Sequence, residues 1–276
     1  MTGEFHPLRQ KERRLRRSTS DAGIDRPLSF GQFTLGDMLR CGTGLRRAMA
    51  DAPTVESAAQ SAVRYLYGAF RSPDGARQCP LVRFYRTHRF ERLDDELKDF
   101  ARHMMQRSPT DGTLRCLTLM ASAGERPEWN DRRKSKGHRA IPLPSLEVVE
   151  RAPMIAQLIR QFGLDIEAVV SPSSALLQAL QGKTYNVFHV ENARGSPYIP
   201  AQEEFVAPYR IESVLGFGGL VGEELFALIL FSTVGISEEV ATRFRNIALD
   251  VKSSLIGYRD NEVFDPPSTR GVAVKS

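Results

Sequence analysis

The sequence predicts an α+β fold with a mostly antiparallel central sheet, helices on one face and inserted helices over the other, the ligand side. Three observations support this prediction: an amphipathic helix after Pro53, two adjacent apolar β-rich runs near the end, and a final helix with a single apolar stripe. A first helix, mostly antiparallel strands with helices inserted between them, a terminal hairpin and a final helix together describe an α+β domain.

Four long segments have apolar residues at helical spacing. The first covers residues 35–49, and Thr54 is the expected N-cap of the second. Asp94 and Ser237 are the expected N-caps of the third and the last helix, and Gly257 is the expected end of the last one. The last helix carries the most regular stripe, which predicts that it covers the sheet.

Five segments read as strands because they are short, apolar and rich in β-branched and aromatic residues. Three of them cover residues 79–90, 115–124 and 185–190. The other two, 211–220 and 222–233, are joined near Val221 and Gly222 and therefore predict a hairpin.

A polar, irregular segment and several short helices separate the second strand from the hairpin. Residues 125–139 are long for a connector, and long ordered loops often carry function. Residues 145–163 predict a helix that Pro153 divides or kinks. A short helix is expected from Ser171–Pro172 to Leu180, and a helical turn over 202–207.

The charge of the chain is concentrated in its first residues. The 276 residues carry a formal net charge of +5. Residues 1–17 have six basic residues against two acidic ones, which leaves about +1 for the rest. We expect a basic tail at 1–29, one domain at 30–258 and a second tail at 259–276. A nearly neutral body does not favour a large nucleic-acid-binding face.

Membrane and secreted classes are not favoured. The sequence has no apolar run of about 18 residues and no secretory signal pattern. Its three cysteines, Cys41, Cys79 and Cys116, are odd in number and far apart, without a CxxC pair or histidines at metal-ligand spacing. We therefore expect a cytoplasmic protein without a metal site.

The C-terminal part of the sequence resembles the end of a GAF domain. The phrase YRIESVLGFGGLVGEELFALILFSTVGISEEVATRFRNIALDVKSSL has its two strands and its last helix. TVESAAQSAVRYLYGAF resembles the first helix of such a domain, CPLVRFYRTHRF its first strand and RCLTLMASAG its second. PEWNDRRKSKGHRAIPLPS and KTYNVFHVENARGSPYIPAQEEF resemble a GAF-like sensor module of bacterial histidine kinases and related signalling proteins. The resemblance covers about residues 35–255.

This resemblance implies a ligand cavity between the sheet and the segments inserted before the hairpin. Its lining would come from the loop 128–138, the strand that holds Tyr185 and His189, the loop 198–203, and Arg83 and Tyr85 of the first strand. The candidate ligand-binding residues are Arg83, Tyr85, Trp129, Asn130, Arg132, His138, Tyr185, His189, Tyr198 and Glu203. The body is longer than a minimal GAF domain, and no output domain follows it in this sequence. An output is therefore expected in a partner protein or in the tails.

Individual residues leave alternatives open. Trp129 could stack on a planar ligand or anchor its loop on the core. His138 and His189 could bind a metal, a haem iron or an acidic ligand, or could be hydrogen-bonded inside the fold. Arg83 could bind a carboxylate or phosphate in two-pronged fashion, or pair with a nearby Glu.

Three functions follow as hypotheses. The first is a non-catalytic sensor that binds a small molecule of unknown identity, dimerises through its first and last helices and signals to a partner protein. The second is a nucleic-acid-associated regulator that uses residues 9–17. The third is a thiol reductase of the GAF type, which the absence of a reactive cysteine pattern makes least favoured.

Overall fold

A computed structural model describes residues 26–106, 112–179, 185–258 and 262–266 of the chain. The basic stretch 9–17, and with it the predicted nucleic-acid contact, lies outside the described residues. Within them, no helix combines the length and apolarity needed to cross a membrane.

Within the described ranges, six strands form a single antiparallel sheet in the order β3-β2-β1-β6-β5-β4. The strands are β1 (Leu81–Arg89), β2 (Arg115–Gly124), β3 (Ala140–Leu143), β4 (Tyr185–Val190), β5 (Ser213–Val221) and β6 (Glu224–Ser232). The centre of the sheet is the pair β1–β6, whose strands are far apart in the sequence. The predicted α+β fold with an antiparallel sheet is confirmed.

Helices precede, interrupt and follow the sheet. They are α1 (Leu35–Met49), α2 (Val55–Ala69), α3 (Asp95–Met105), α4 (Leu146–Glu150), α5 (Pro153–Gln161), α6 (Ile166–Val170), α7 (Ser174–Ala179) and α8 (Glu238–Leu255). The predicted N-caps Thr54, Asp94 and Ser237 each accept a backbone N–H in the first turn. The short helix α7 begins at Ser174 instead of Ser171, because the Ser173 hydroxyl accepts the N–H of Leu176.

Helices α2 and α8 cover one face of the sheet, and α1 packs against both of them. Four phenylalanines join this layer at one end. The rings of Phe30 and Phe70 stack with centroids 4.2 Å apart, and those of Phe33 and Phe244 with centroids 4.9 Å apart. Residues from the start of the body and from its last helix therefore share one core.

The inserted helices α4, α5 and α6 lie over the opposite face and form a second core. Pro153 occupies the first turn of α5 and so divides the predicted helix 145–163 into two pieces. Gly163 follows α5 with φ of +74°, which glycine adopts without strain. This layer covers the face only in part and leaves a cavity beside α5.

Short segments beyond the predicted body also pack against it. Leu28 is buried, and its N–H donates to Ala69 O at 2.9 Å. At the other end, Val263 O accepts the N–H of Glu56 at 2.9 Å, and the ring of Phe264 lies 5.4 Å from that of His88. The segment 262–266, predicted as tail, is thus in contact with α2 and β1.

Candidate functional site

A cavity of about 540 Å³ lies on the sheet face that α5 only partly covers. Its walls come from the sheet, the loop 125–139, helix α5 and the turn around Gln202–Val206. Apolar side chains make most of the lining: Leu81, Leu117, Ile141, Met154, Ile155, Leu158, Ile199, Phe205, Ala227, Ile229 and Phe231. Such an apolar pocket with a few polar groups is the usual form of a small-molecule site.

The floor of the cavity follows from strand pairing. Leu81, Arg83 and Tyr85 alternate on one face of β1, opposite Phe231, Ile229 and Ala227 of β6. Residues that pair across two antiparallel strands point to the same face. Because β1 and β6 are the central strands, each is paired on both sides, and the floor is therefore the part of the site that is held most firmly in place.

Three aromatic rings form one wall. The ring of Trp129 lies 4.6 Å from that of Tyr209 and 5.8 Å from that of Phe205. Phe205 in turn meets Phe231 of the floor edge-on at 4.9 Å. Trp129 therefore both anchors its loop and lines the cavity, so the two alternatives for this residue are compatible.

Two nitrogen-bearing side chains dominate the polar part. Arg83 is half-buried, and its Nη1 donates to the Tyr85 hydroxyl at 3.2 Å. His138 lies at the cavity edge with φ of +64°. Desolvation, followed by the charge of Arg83, lowers the pKa of the His138 imidazole. Both effects favour the neutral form of the imidazole.

The cavity lies where the resemblance implies a ligand site, between the sheet and the segments inserted before the hairpin. The fold is GAF-like. The histidine-kinase variety of that fold stays a prediction.

A scan against protein-family models and a search of the curated proteins each find no match. Solved structures with a similar course of the chain include a free methionine-R-sulfoxide reductase from Neisseria meningitidis in complex with its substrate (10% identity, 80% of this chain and 89% of that one, TM-score 0.44). Another is the GAF domain of a phosphoenolpyruvate-protein phosphotransferase from Coxiella burnetii (14% identity, 80% of this chain and 94% of that one, TM-score 0.40). A third is the phycoerythrobilin-bound GAF domain of a cyanobacterial phytochrome (11% identity, 82% of this chain and 96% of that one, TM-score 0.36).

Of the ten residues predicted from the sequence, the GAF-like cavity brings together Arg83, Tyr85, Trp129 and His138. Asn130 lies outside the lining and holds the start of the loop, since its amide bonds to Gly124 N and Gly124 O. Whether any of these residues binds a ligand stays a prediction.

Arg132 lies away from the cavity. It is buried, and its guanidinium binds Glu56 through Nε at 2.6 Å and Nη2 at 2.9 Å, with Asp94 at 3.1 Å. Its place in the predicted ligand set is corrected: this arginine anchors the loop 125–139 to α2.

Strand β4 presents Tyr185 and His189 to the side opposite the cavity. Tyr185 packs with Val187 against the core under α8, whereas Phe188 and Val190 belong to the cavity-side core. Because side chains alternate along a strand, His189 shares the face of Tyr185. Tyr198 and Glu203 are exposed and outside the lining, although Ile199, Pro200 and Ala201 from the same loop take part in it.

Sequence reasoning missed the contribution of α5 and of the turn after it. Met154, Ile155 and Leu158 of α5 line the cavity, as do Phe205 and Tyr209. Phe205 and Tyr209 are four positions apart, a spacing that puts both rings on one side of a helical turn. This four-residue spacing is the sequence signal that could have identified both residues as part of the cavity wall.

The three cysteine thiols lie in the protein interior. Cys41, Cys79 and Cys116 are all fully buried, and burial raises the pKa of each thiol, that of Cys116 to about 12. A buried thiol with a raised pKa provides almost no thiolate nucleophile. Among the described residues, no three or more His, Cys, Asp or Glu lie together as a metal site.

Proposed function

We propose that this chain is a sensory module that binds a small molecule in the cavity on the free face of its sheet. The observation that carries the proposal is the cavity itself: about 540 Å³, apolar on most of its surface, with a guanidinium and an imidazole at one side. A volume of this size accommodates an organic molecule with several rings.

Trp129 provides a direct test, because it is the only tryptophan of the chain and lines the cavity. N-phenyl-1-naphthylamine is a neutral, apolar fluorophore that accepts energy from tryptophan. We expect it to bind with 1:1 stoichiometry and to quench the emission of Trp129 in a saturable manner.

Two matched variants locate the bound probe. Ala227 lies on the cavity floor, so Ala227→Leu adds a branched side chain to the space that the probe would occupy. Ala207 is exposed and outside the lining, so Ala207→Leu adds the same atoms elsewhere. We expect Ala227→Leu to weaken probe binding about tenfold, which corresponds to about 1.4 kcal/mol, and Ala207→Leu to leave it unchanged. Equal affinity in both variants would refute the assignment of the cavity as the binding site.

Signalling to a partner protein and self-association belong to the same proposal. Leu35 and Leu39 of α1 and Leu249 and Ile256 at α8 are exposed apolar side chains, which are the type of residue that a helical interface buries. A cytoplasmic location and the nucleic-acid contact through residues 9–17 stay predictions.

A further inference from the structure

Among the described residues, the guanidinium of Arg83 meets no carboxylate, unlike three arginines that are buried elsewhere in the protein. Arg86 meets Glu224 at 2.5 Å, and Arg115 meets Glu223 at 2.9 Å. Arg132 has its bidentate contact with Glu56. Arg83 has the Tyr85 hydroxyl as its hydrogen-bond acceptor, and its Nε is buried without any partner.

An uncompensated cation in an apolar pocket is unfavourable for the ligand-free protein. Burying a charge without a counter-charge is costly, and a buried donor without an acceptor adds to that cost. His138 cannot provide the missing negative charge, since an imidazole is either neutral or positive. Arg83 therefore lacks an anionic partner.

The rest of the wall has the same electrostatic preference. The cationic lining residues are Arg83, Arg126, Lys134 and Lys136, whereas the acidic ones are Glu128 and Glu204. Arg126 and Glu128 neutralise each other at 2.5 Å, and Glu204 is exposed. Lys134 and Lys136 are exposed as well, which leaves Arg83 as the unpaired half-buried charge of the lining.

We propose that the ligand of this cavity is an organic carboxylate, whose oxygens bind Nη1 and Nη2 of Arg83 while its apolar body packs against Trp129, Phe205 and helix α5. The planar guanidinium matches a carboxylate in a two-pronged geometry. One negative charge balances one cation, which favours a carboxylate over a phosphate dianion. This inference rests on the proposed function and specifies the chemical class of the ligand.

Three ligands with the same ring system separate the possibilities by competition against N-phenyl-1-naphthylamine. They are 2-naphthoate, its neutral isostere 2-naphthamide, and 2-naphthyl phosphate. We expect 2-naphthoate to displace the probe at a concentration at least about tenfold lower than 2-naphthamide does. Equal competition by these two would overturn the inference and leave the proposed function standing. Stronger competition by the phosphate ester would overturn the choice of a carboxylate. Failure of the probe itself to bind would count against the proposed function as well.

Variants of Arg83 test the residue. Arg83→Met should abolish the preference for 2-naphthoate while 2-naphthamide competes as before, and Arg83→Lys should keep only part of it. Arg133→Met removes an exposed cation of the loop 125–139 that lies outside the lining, and it should preserve the preference within about twofold.

Thermal stability gives a second readout that does not depend on a ligand. Because Arg83 is an unpaired, half-buried charge, we expect ligand-free Arg83→Met to melt at a higher temperature than the wild type. A lower melting temperature together with an unchanged preference for 2-naphthoate would show that Arg83 is a structural residue and would overturn the assignment.

Discussion

His88 is fully buried beneath Phe264, and its Nδ1 lies 3.6 Å from a carboxylate oxygen of Glu224. Burial, reinforced by the charges of Arg86 and Arg115, outweighs Glu224 and lowers the pKa of His88. The pKa values of His138 and His189 are lowered too, mainly by desolvation. Three histidines thus resist protonation in the folded chain.

The free energy of unfolding should therefore decrease as the pH falls from 7.5 to 5.5. In this window the unfolded chain takes up protons near the reference pKa of 6.5, whereas the folded histidines, with their lowered pKa values, take up fewer, so protonation favours unfolding. His88→Gln should reduce the slope of stability against pH by up to about 1.4 kcal/mol per pH unit. Urea titrations at three pH values measure it.

The control for this prediction is His103→Gln, since His103 is exposed on α3. A slope that is the same in His88→Gln and in the wild type would contradict the role assigned to burial of His88.

At the scale of residues, the sequence could predict the type of cavity residue but not its partners. Arg83 and Arg132 look equivalent along the chain, as arginines beside aromatic or polar neighbours. What separates them is Glu56, which lies 76 positions from Arg132 and is brought to it only by the fold. A long-range ion pair of this kind has no local sequence signal.

Strand β5 shows what a single element requires of its sequence. A Cβ atom at Gly218 would lie 2.0 Å from Phe226 O and 2.9 Å from the ring of Phe162. The carbonyl belongs to the paired strand β6 and cannot move without disturbing the hairpin. The glycine is needed because backbone and ring approach the strand so closely.

Gly218→Ala should consequently destabilise the protein by about 1–3 kcal/mol, the usual cost of forcing extra atoms into a packed interior. Gly68→Ala is the matched control, because a Cβ there meets nothing within 4 Å and alanine favours the helix interior of α2. Denaturant unfolding should show a loss for the first variant and an unchanged or higher stability for the second. An unchanged free energy of unfolding in Gly218→Ala would contradict this close approach.

The spacing of apolar residues predicts whether a segment is a helix or a strand. It does not always predict which face of that element points to the cavity. The predicted strand at 185–190 is present, but which of its side chains face the cavity depends on its pairing with β5. The pairs Tyr185–Gly219 and Phe188–Gly216 set this orientation. When the side chains on both faces of a strand are partly buried, the sequence shows no alternation of polar and apolar residues that would indicate which face points to the cavity.

Across the whole molecule, the loop 125–139 connects the cavity with the C-terminal segment. Trp129 and His138 line the cavity, whereas Arg132 from the same loop contacts Glu56 and lies under the ring of Phe264 at 5.5 Å. Glu56 Oε2 also accepts the N–H of Asp265 at 3.1 Å. The loop thus joins the cavity wall to the segment 262–266 through Arg132 and Glu56.

Arg132→Met should lower the free energy of unfolding by about 3–5 kcal/mol, since it leaves the buried Glu56 carboxylate without its counter-charge. The double variant Arg132→Met with Glu56→Gln should recover part of this loss. We also expect Arg132→Met to weaken binding of N-phenyl-1-naphthylamine, because the loop that carries Trp129 loses its anchor. Unchanged stability and unchanged probe binding would contradict this connection.

The stacked phenylalanines that join the two ends of the body have a consequence for synthesis. Phe30, Phe33 and Phe70 leave the ribosome long before Phe244, and β1 long before its partner β6. Contacts between such distant residues close late and slow the folding reaction. The nascent chain must therefore keep one apolar sheet face and a group of aromatic rings uncovered until β6 and Phe244 have been translated. We infer that chaperones are needed to shield these surfaces up to that point of translation.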